Sequence, residues 1–216
     1  ISACLVGSEM CIRDSACTPL DVRAPIMSAW EQTRHLADEL RVEVGFDLPA
    51  TAVSIEGDPR RIERIVRNLI ANAIDHSEGN PVEVALHEND EAVAVTVTDR
   101  GVGLRPGQEE LVFNRFWRAD KSRKRHSGGT GLGLAIARED AQLHHGVLDA
   151  AGVEGVGSQF RLVLPRLPDA GYTHAPVELR SPGGSGEAAF LRARAHGANT
   201  SSLQDNSERE VDVDEA

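Results

Sequence analysis

Two short runs of strict alternation constrain this chain more than any other feature. Val82, Val84 and Leu86 alternate with Glu83, Ala85 and His87, and Val93, Val95 and Val97 alternate with Ala94, Thr96 and Thr98. That period of two predicts two half-buried strands. Only the turn around Asn89–Asp90 separates them, so they must pair antiparallel, because a parallel pair needs a crossover of about a dozen residues or more. Helical periodicity flanks the hairpin on both sides. The pattern predicts an α+β fold, a two-layer sandwich of helices on a mixed sheet, and disfavours a doubly wound parallel sheet.

The helix before the hairpin is the best defined. Asp58 is a good N-cap and Pro59 suits the first helical position. From there to about Ser77, Ile62, Ile65, Val66, Leu69, Ile70, Ala73 and Ile74 form one apolar stripe. An earlier helix is expected over 22–40, with Ile26, Trp30, Leu36 and Leu40 on one face. A strand is expected over 42–48, a helix from about Gly131 to His145, and strands over 147–150 and 159–164. Residues 101–129 read as a long loop rich in Gly, Pro and charge.

Composition bounds the partners. The 216-residue chain carries a formal charge of −11 and is 40% apolar but only 4% aromatic. Such acidity argues against a nucleic-acid coat, since phosphate backbones require a basic face. No apolar run reaches the roughly 18 residues of a membrane helix, so no membrane contact by this fragment is expected. Cys4, Cys11 and Cys17 have no zinc spacing. Residues 1–15, ISACLVGSEMCIRDS, resemble translated sequencing-adapter text and are expected to be foreign to the domain. The folded domain is expected over 16–166. Residues 167–216, with SPGGSGE at 181–187 and an acidic end, read as a mostly disordered tail.

Four segments carry chemistry. Asn68 and Asn72 stand one helical turn apart at the border of the apolar stripe, where amide oxygens suit Mg²⁺ and amide N–H groups suit phosphate. The bland alternative is a polar helix flank. The second hairpin strand ends in Asp99-Arg-Gly101-Val-Gly103, which suits a buried carboxylate beside close-approaching backbone, or simply a strand ending in a glycine turn. Phe113, Phe116 and Trp117 crowd into a polar loop, as an anchor for a lid or as a short core helix. A basic cluster follows at Lys121, Arg123, Lys124 and Arg125. Finally, Gly129-Thr130-Gly131-Leu132-Gly133 runs into a helix, where backbone N–H groups and the helix dipole favour anions. A flexible hinge is its alternative. The glycine spacing fits neither a Walker loop nor a Rossmann turn.

In this order and on these elements, NLIANAIDHS, DRGVGL, VFNRFWRAD and SGGTGLGLAI resemble the N box, first glycine box, F box and second glycine box of sensor histidine kinases. The wording is closest to actinobacterial MtrB-type kinases, and the likeness covers about residues 20–166. It implies the Bergerat-type ATP-binding fold shared with Hsp90, gyrase B and MutL, with ATP and Mg²⁺ as ligands. Position by position it implies that Asn72 coordinates Mg²⁺, that Asn68 assists nucleotide binding and catalysis, and that Asp99 reads the adenine amino group beside Gly101 and Gly103. Arg118 and Arg115 would reach the γ-phosphate from the lid. Gly129, Thr130, Gly131, Leu132 and Gly133 would hold phosphates, and His76 would line the adenine side. Asp75 departs from the pattern, since many members carry Lys there.

The family's phosphoacceptor motif is absent from this chain. His35, in RHLADE, lacks its context and reads as a surface helix residue. The implied activity is therefore that of a catalytic domain, serving a phosphoacceptor histidine on a separate dimerisation domain and, through it, a response regulator. It implies the cytoplasmic side of a membrane-anchored parent. Another ATPase or an anti-sigma-factor serine kinase of the same superfamily, or a non-catalytic nucleotide-binding module, are the alternatives.

Overall fold

The computed structural model describes residues 18–118, 130–168 and 170–183. All of them except Gly183 belong to one compact unit, Ile1–Pro182. The elements in order are β1 (Thr18–Asp21), α1 (Arg23–Leu40), β2 (Val44–Asp47), β3 (Ser54–Gly57), α2 (Pro59–His76), β4 (Val82–Glu88), β5 (Ala92–Asp99), α3 (Gln108–Leu111), α4 (Gly133–Leu143), β6 (Val147–Val153) and β7 (Gly157–Pro165). Five strands form a mixed sheet in the order β2-β4-β5-β7-β6, in which only the β2–β4 pair is parallel. The α+β sandwich expected from the hairpin is the observed fold.

Helix α2 forms the centre of the helical layer. Asp58 caps it by accepting hydrogen bonds from the backbone N–H groups of Arg60 (2.9 Å) and Arg61 (3.3 Å), a device that contributes about 1 kcal/mol. Its buried residues are Ile62, Ile65, Val66, Leu69, Ile70, Ala73 and Ile74, the stripe read from the sequence. They meet Val84, Leu86, Val93, Val95, Val97, Phe160 and Leu162 from the inner face of the sheet in one core. Each such side chain contributes about 1.5–3 kcal/mol when fully withdrawn from water. Helices α1 and α4 flank α2. In α1 the buried face is Pro25, Ile26, Ala29, Thr33, Leu36 and Ala37, with Trp30 and Leu40 at its margin.

Two strands escape the periodicity. Strands β1 and β3 pair antiparallel as a separate two-stranded sheet. Each has only four residues, too few for alternation to stand out, and β1 contains Pro19. Helix α4 begins at Gly133, two residues later than expected, because Gly131 has φ +74° and lies outside the helical region.

The expected boundary near Arg166 does not coincide with the end of the ordered packing. Tyr172, Ala175 and Val177 lie against Ala92, Ala94 and Val163 on the sheet face opposite the helices. Glu91 accepts from the Thr173 N–H at 2.7 Å, and Arg161 Nη1 donates to the Val177 carbonyl at 2.6 Å. Strand β5 is buried on both faces, so alanines at 92 and 94 leave room for this strap. Residues 1–15, the basic cluster at 121–125 and the acidic end after 183 lie outside the described residues.

Candidate functional site

A cavity of about 390 Å³ opens between α2, the turn after β5 and the segment leading into α4. Its wall includes Asn68, Asn72, His76, Gly103, Thr130, Gly131 and Gly133. Seven residues that the sequence scattered over sixty-six positions thus meet at one opening. The reason Asn68 and Asn72 both face it is helical: they sit at the edge of the α2 stripe, one turn apart. Asn68 Nδ2 also donates to the Gly133 carbonyl at 3.0 Å, tying α2 to the start of α4.

Asp99 ends β5 and is fully buried. Its Oδ1 accepts from the Gly101 N–H at 3.0 Å, and its Oδ2 accepts from the Ser158 hydroxyl at 2.5 Å. Burial pushes its pKa above the ordinary carboxylate value, and the hydrogen bonds from Ser158 and Gly101 act against that rise. Ser158, which lines the cavity beside Phe160, is a residue that sequence reasoning missed. A single serine at a strand start carries no motif; its register opposite Asp99 in the β5–β7 ladder is what gives it a role.

The glycines of the turn after β5 are required by the protein's own backbone. A Cβ at Gly101 would stand 1.7 Å from the His76 carbonyl oxygen, and one at Gly103 would stand 1.9 Å from that of Val153. The turn is therefore clamped between the end of α2, where Val102 N–H donates to the His76 carbonyl at 3.1 Å, and the β6–β7 hairpin, where Gly155 N–H donates to the Val102 carbonyl at 2.9 Å. The sequence offers this glycine pair either for ligand approach or as a plain glycine turn; the packing of the turn demands both glycines in either case.

The aromatic cluster divides three ways. Phe113 is buried, packs edge-on against Phe160 at 6.2 Å and lies under the Arg138 guanidinium at 4.9 Å. Trp117 lines the cavity. Phe116 is 70% exposed with φ +64°, held by its N–H donating to the Gly131 carbonyl at 2.9 Å. The anchor is thus Phe113, and Phe116 joins the segment before 119 to the segment after 129. Arg115 is not brought to the cavity: it pairs with Glu139 on α4 at 2.6 Å. Arg118 is half-buried but is not part of the cavity wall. Leu132 serves as the N-cap position of α4 without a side-chain cap. Gly129 lies outside the described residues. His35 is exposed on α1, as expected of a surface residue.

The donor set on the α2 face is oxygen-based and hard, Asn72 and Asp75 both lining the cavity. That fits Mg²⁺, which takes few ligands from a protein and the remainder from phosphate and water. Among the described residues no group of three or more His, Cys, Asp and Glu gathers to hold a metal.

A buried acid at the end of a strand, a clamped glycine turn, two amides on one helix face and a glycine-rich approach to a second helix are one arrangement. The family model described as Histidine kinase-, DNA gyrase B-, and HSP90-like ATPase matches residues 57–168. The chain belongs to this family. Sensor histidine kinase MtrB of Mycolicibacterium paratuberculosis is 48% identical to this histidine kinase-like ATPase domain over 195 residues, covering 89% of this chain and 34% of that kinase. The chain therefore spans about a third of its curated relative's length. The solved mycobacterial sensor histidine kinase MprB matches with a TM-score of 0.60 at 29% identity, covering 70% of this chain and 99% of that one. Histidine kinase ThkA, solved in complex with response regulator protein TrrA, shares the fold with a TM-score of 0.60 at 19% identity, covering 71% of this chain and 42% of that one. No helix among the described residues is long and apolar enough to cross a membrane.

Proposed function

We propose that this domain binds ATP with Mg²⁺ in the cavity. It then donates the γ-phosphate to a histidine on a dimerisation domain outside this chain, for onward transfer to a response regulator. The observation that carries the reading is Asp99, buried at the end of β5 with its two oxygens oriented by Gly101 and by Ser158, which itself lines the cavity. A fixed carboxylate in a low-dielectric wall is a selective acceptor for an exocyclic amine. The likeness to MtrB supports the kinase reading over a serine kinase or a non-catalytic module. The solved ThkA–TrrA pair supports a response regulator as the final acceptor.

In this reading Asp99 accepts from the adenine amino group, and His76 and Trp117 flank the base. Asn72 holds the cation and Asn68 orients the phosphates. Gly129, Thr130, Gly131, Leu132 and Gly133 bring backbone N–H groups to them. Mg²⁺ supplies charge neutralisation of the phosphates. Arg115, exchanging Glu139 for phosphate oxygens, and Arg118 reach the γ-phosphate. The bond between the γ-phosphorus and its bridging oxygen breaks, a bond to the acceptor histidine nitrogen forms, and ADP leaves. The protein's contribution is positioning and electrostatics. We further propose that the parent protein is membrane-anchored and carries this domain on its cytoplasmic side.

Calorimetric titration of the chain with ATP, with and without Mg²⁺, tests the binding. A separately supplied dimerisation domain of an MtrB-type kinase tests the transfer. Saturable binding strengthened by Mg²⁺ and labelling of the supplied histidine are expected. A folded sample that binds no nucleotide would overturn the reading.

A further inference from the structure

The C-terminal strap reaches further than the alanine face. Thr98 and Asp99 end β5, and their partners across the last two rungs of the β5–β7 ladder are Gln159 and Ser158. Successive side chains of a strand point to opposite faces. Ser158 lines the cavity and donates to Asp99. Gln159 therefore stands on the outer face with Arg161, the residue that donates to the Val177 carbonyl of the strap. There Gln159 Nε2 donates to Thr98 Oγ1 at 3.0 Å, and Gln159 Oε1 accepts from the Arg180 N–H at 2.9 Å. One amide thus bridges the two strands and is itself held by the strap, one rung behind the pair that the cavity uses.

We propose that Gln159 is a positioning residue for the base-reading carboxylate, and that the strap, through the Arg180 N–H, sets how firmly the site holds adenine. The proposal rests on the reading of Asp99 as acceptor of the adenine amino group. The rung of Asp99 and Ser158 is the last of its ladder, so no further β5–β7 pairing beyond it resists fraying. A side-chain bridge across the preceding rung limits the separation of the two strands there. Ser158 keeps its contact with Asp99 Oδ2 only while that separation is held. An amide suits the task because it donates at one end and accepts at the other, so the Thr98 hydroxyl and the strap N–H together fix its orientation. Without that bridge Asp99 is free to turn away from the geometry an exocyclic amine requires. The amides that would meet the phosphates, Asn68 and Asn72, stand on α2 and do not depend on this rung.

The full chain and its Gln159→Ala, Thr98→Val, Thr98→Ser, Arg180→Ala and Arg180→Pro variants would be titrated with adenosine, with ATP and GTP in excess Mg²⁺, and with inorganic tripolyphosphate in excess Mg²⁺. Asp99→Asn is the reference for loss of the base contact. Gln159→Ala and Thr98→Val are each expected to weaken adenosine binding roughly three- to tenfold and to narrow the preference for ATP over GTP by a similar factor. Tripolyphosphate affinity is expected to stay unchanged. Thr98→Ser keeps the hydroxyl and is expected to bind adenosine like the unaltered chain. Arg180→Pro removes the N–H that Arg180→Ala keeps, so only the proline variant is expected to lose adenosine affinity. Adenosine affinity in Gln159→Ala equal to that of the unaltered chain overturns the inference. So does an equal loss of tripolyphosphate affinity, which would mean that the bridge only supports the fold. Equal adenosine affinity in the two Arg180 variants overturns the part given to the strap. If Asp99→Asn binds adenosine as tightly as the unaltered chain, or if the unaltered chain binds neither adenosine nor ATP with Mg²⁺, it is the ATP reading itself that fails.

Discussion

The Ser158 hydroxyl donates to Asp99 Oδ2 at 2.5 Å, although fifty-nine residues separate the two in the chain. Both side chains are buried. The contact exists because β5 and β7 pair antiparallel with Asp99 directly opposite Ser158. It fixes one carboxylate oxygen, while the Gly101 N–H fixes the other.

Removing that hydroxyl takes away one of the acid's hydrogen-bond partners. Ser158→Ala deletes a hydrogen bond to a charged, buried group, a loss of about 1.5–3 kcal/mol. Adenosine affinity is expected to fall by about tenfold or more. With one stabilising contact gone, the Asp99 pKa rises further, so the acid limb of adenosine binding moves to higher pH. Ser158→Thr keeps the hydroxyl and is expected to keep both properties. Calorimetry across a pH series checks this, and an unmoved acid limb in Ser158→Ala would discard the coupling.

Asp99→Asn separates stability from recognition. The Asp99 pKa is raised in the folded protein, chiefly by desolvation. The folded state therefore holds this proton more tightly than the unfolded state. The contribution is fully present below the unfolded pKa and is lost as pH rises through the raised folded value. Above that window the native carboxylate is a burden on stability. The Asn variant lacks this burden, so at neutral pH it is expected to melt no lower than the parent. The same variant is expected to lose selectivity for adenine over guanine nucleotides. Thermal melts at pH 4 to 8, paired with ATP and GTP titrations, read both effects; retained ATP preference would count against the role of Asp99.

Asp140 holds α4 to α2. Its carboxylate is 3% exposed and pairs with Arg61 at 3.0 Å and Arg64 at 2.7 Å. Its backbone carbonyl lies 2.8 Å from His144 Nδ1, and His144 Nε2 accepts from the Asp58 N–H at 3.0 Å. The histidine must therefore carry its proton on Nδ1. Breaking a buried pair costs about 3–5 kcal/mol, and the two arginines are exposed enough to rehydrate, so Asp140→Ala is expected to cost about 2 kcal/mol. Urea denaturation measures it, and a change below about 0.5 kcal/mol would show the network to be incidental.

Truncation tests where the folded unit ends. A chain stopped after Arg166 loses Tyr172, Ala175 and Val177 from the outer sheet face and bares Ala92, Ala94 and Val163. It is expected to melt several degrees lower than the full chain, the size of shift that about 1–2 kcal/mol produces in a domain of this length. A chain stopped after Pro182 keeps the strap and is expected to melt with the full chain. Equal melting of both truncations would assign the strap no stabilising part.

Much of the helical layer and the central hairpin was legible because their signals are local and repeated. The α2 stripe spans four turns, and the β4–β5 alternation brackets an unambiguous turn. The strap was not legible, since polar and glycine-rich composition around 167–183 describes a linker whether or not the neighbouring sheet offers a shallow alanine face. Strands β1 and β3 were likewise silent, because pairing partners thirty-odd residues apart leave no periodic trace.

The sequence by itself determined which side chains face inward, and hence the sandwich, the glycine turn and the two amides on one helix face. Periodicity and capping are properties of neighbouring residues, so a linear reading reaches them. Only the tertiary structure decided that Ser158 orients Asp99, that Gly101 and Gly103 are demanded by the backbones of α2 and the β6–β7 hairpin, and that Arg115 is held by Glu139. Those relationships depend on strand register and helix packing. Both are set by the burial of the whole core, and no local segment of the chain encodes them.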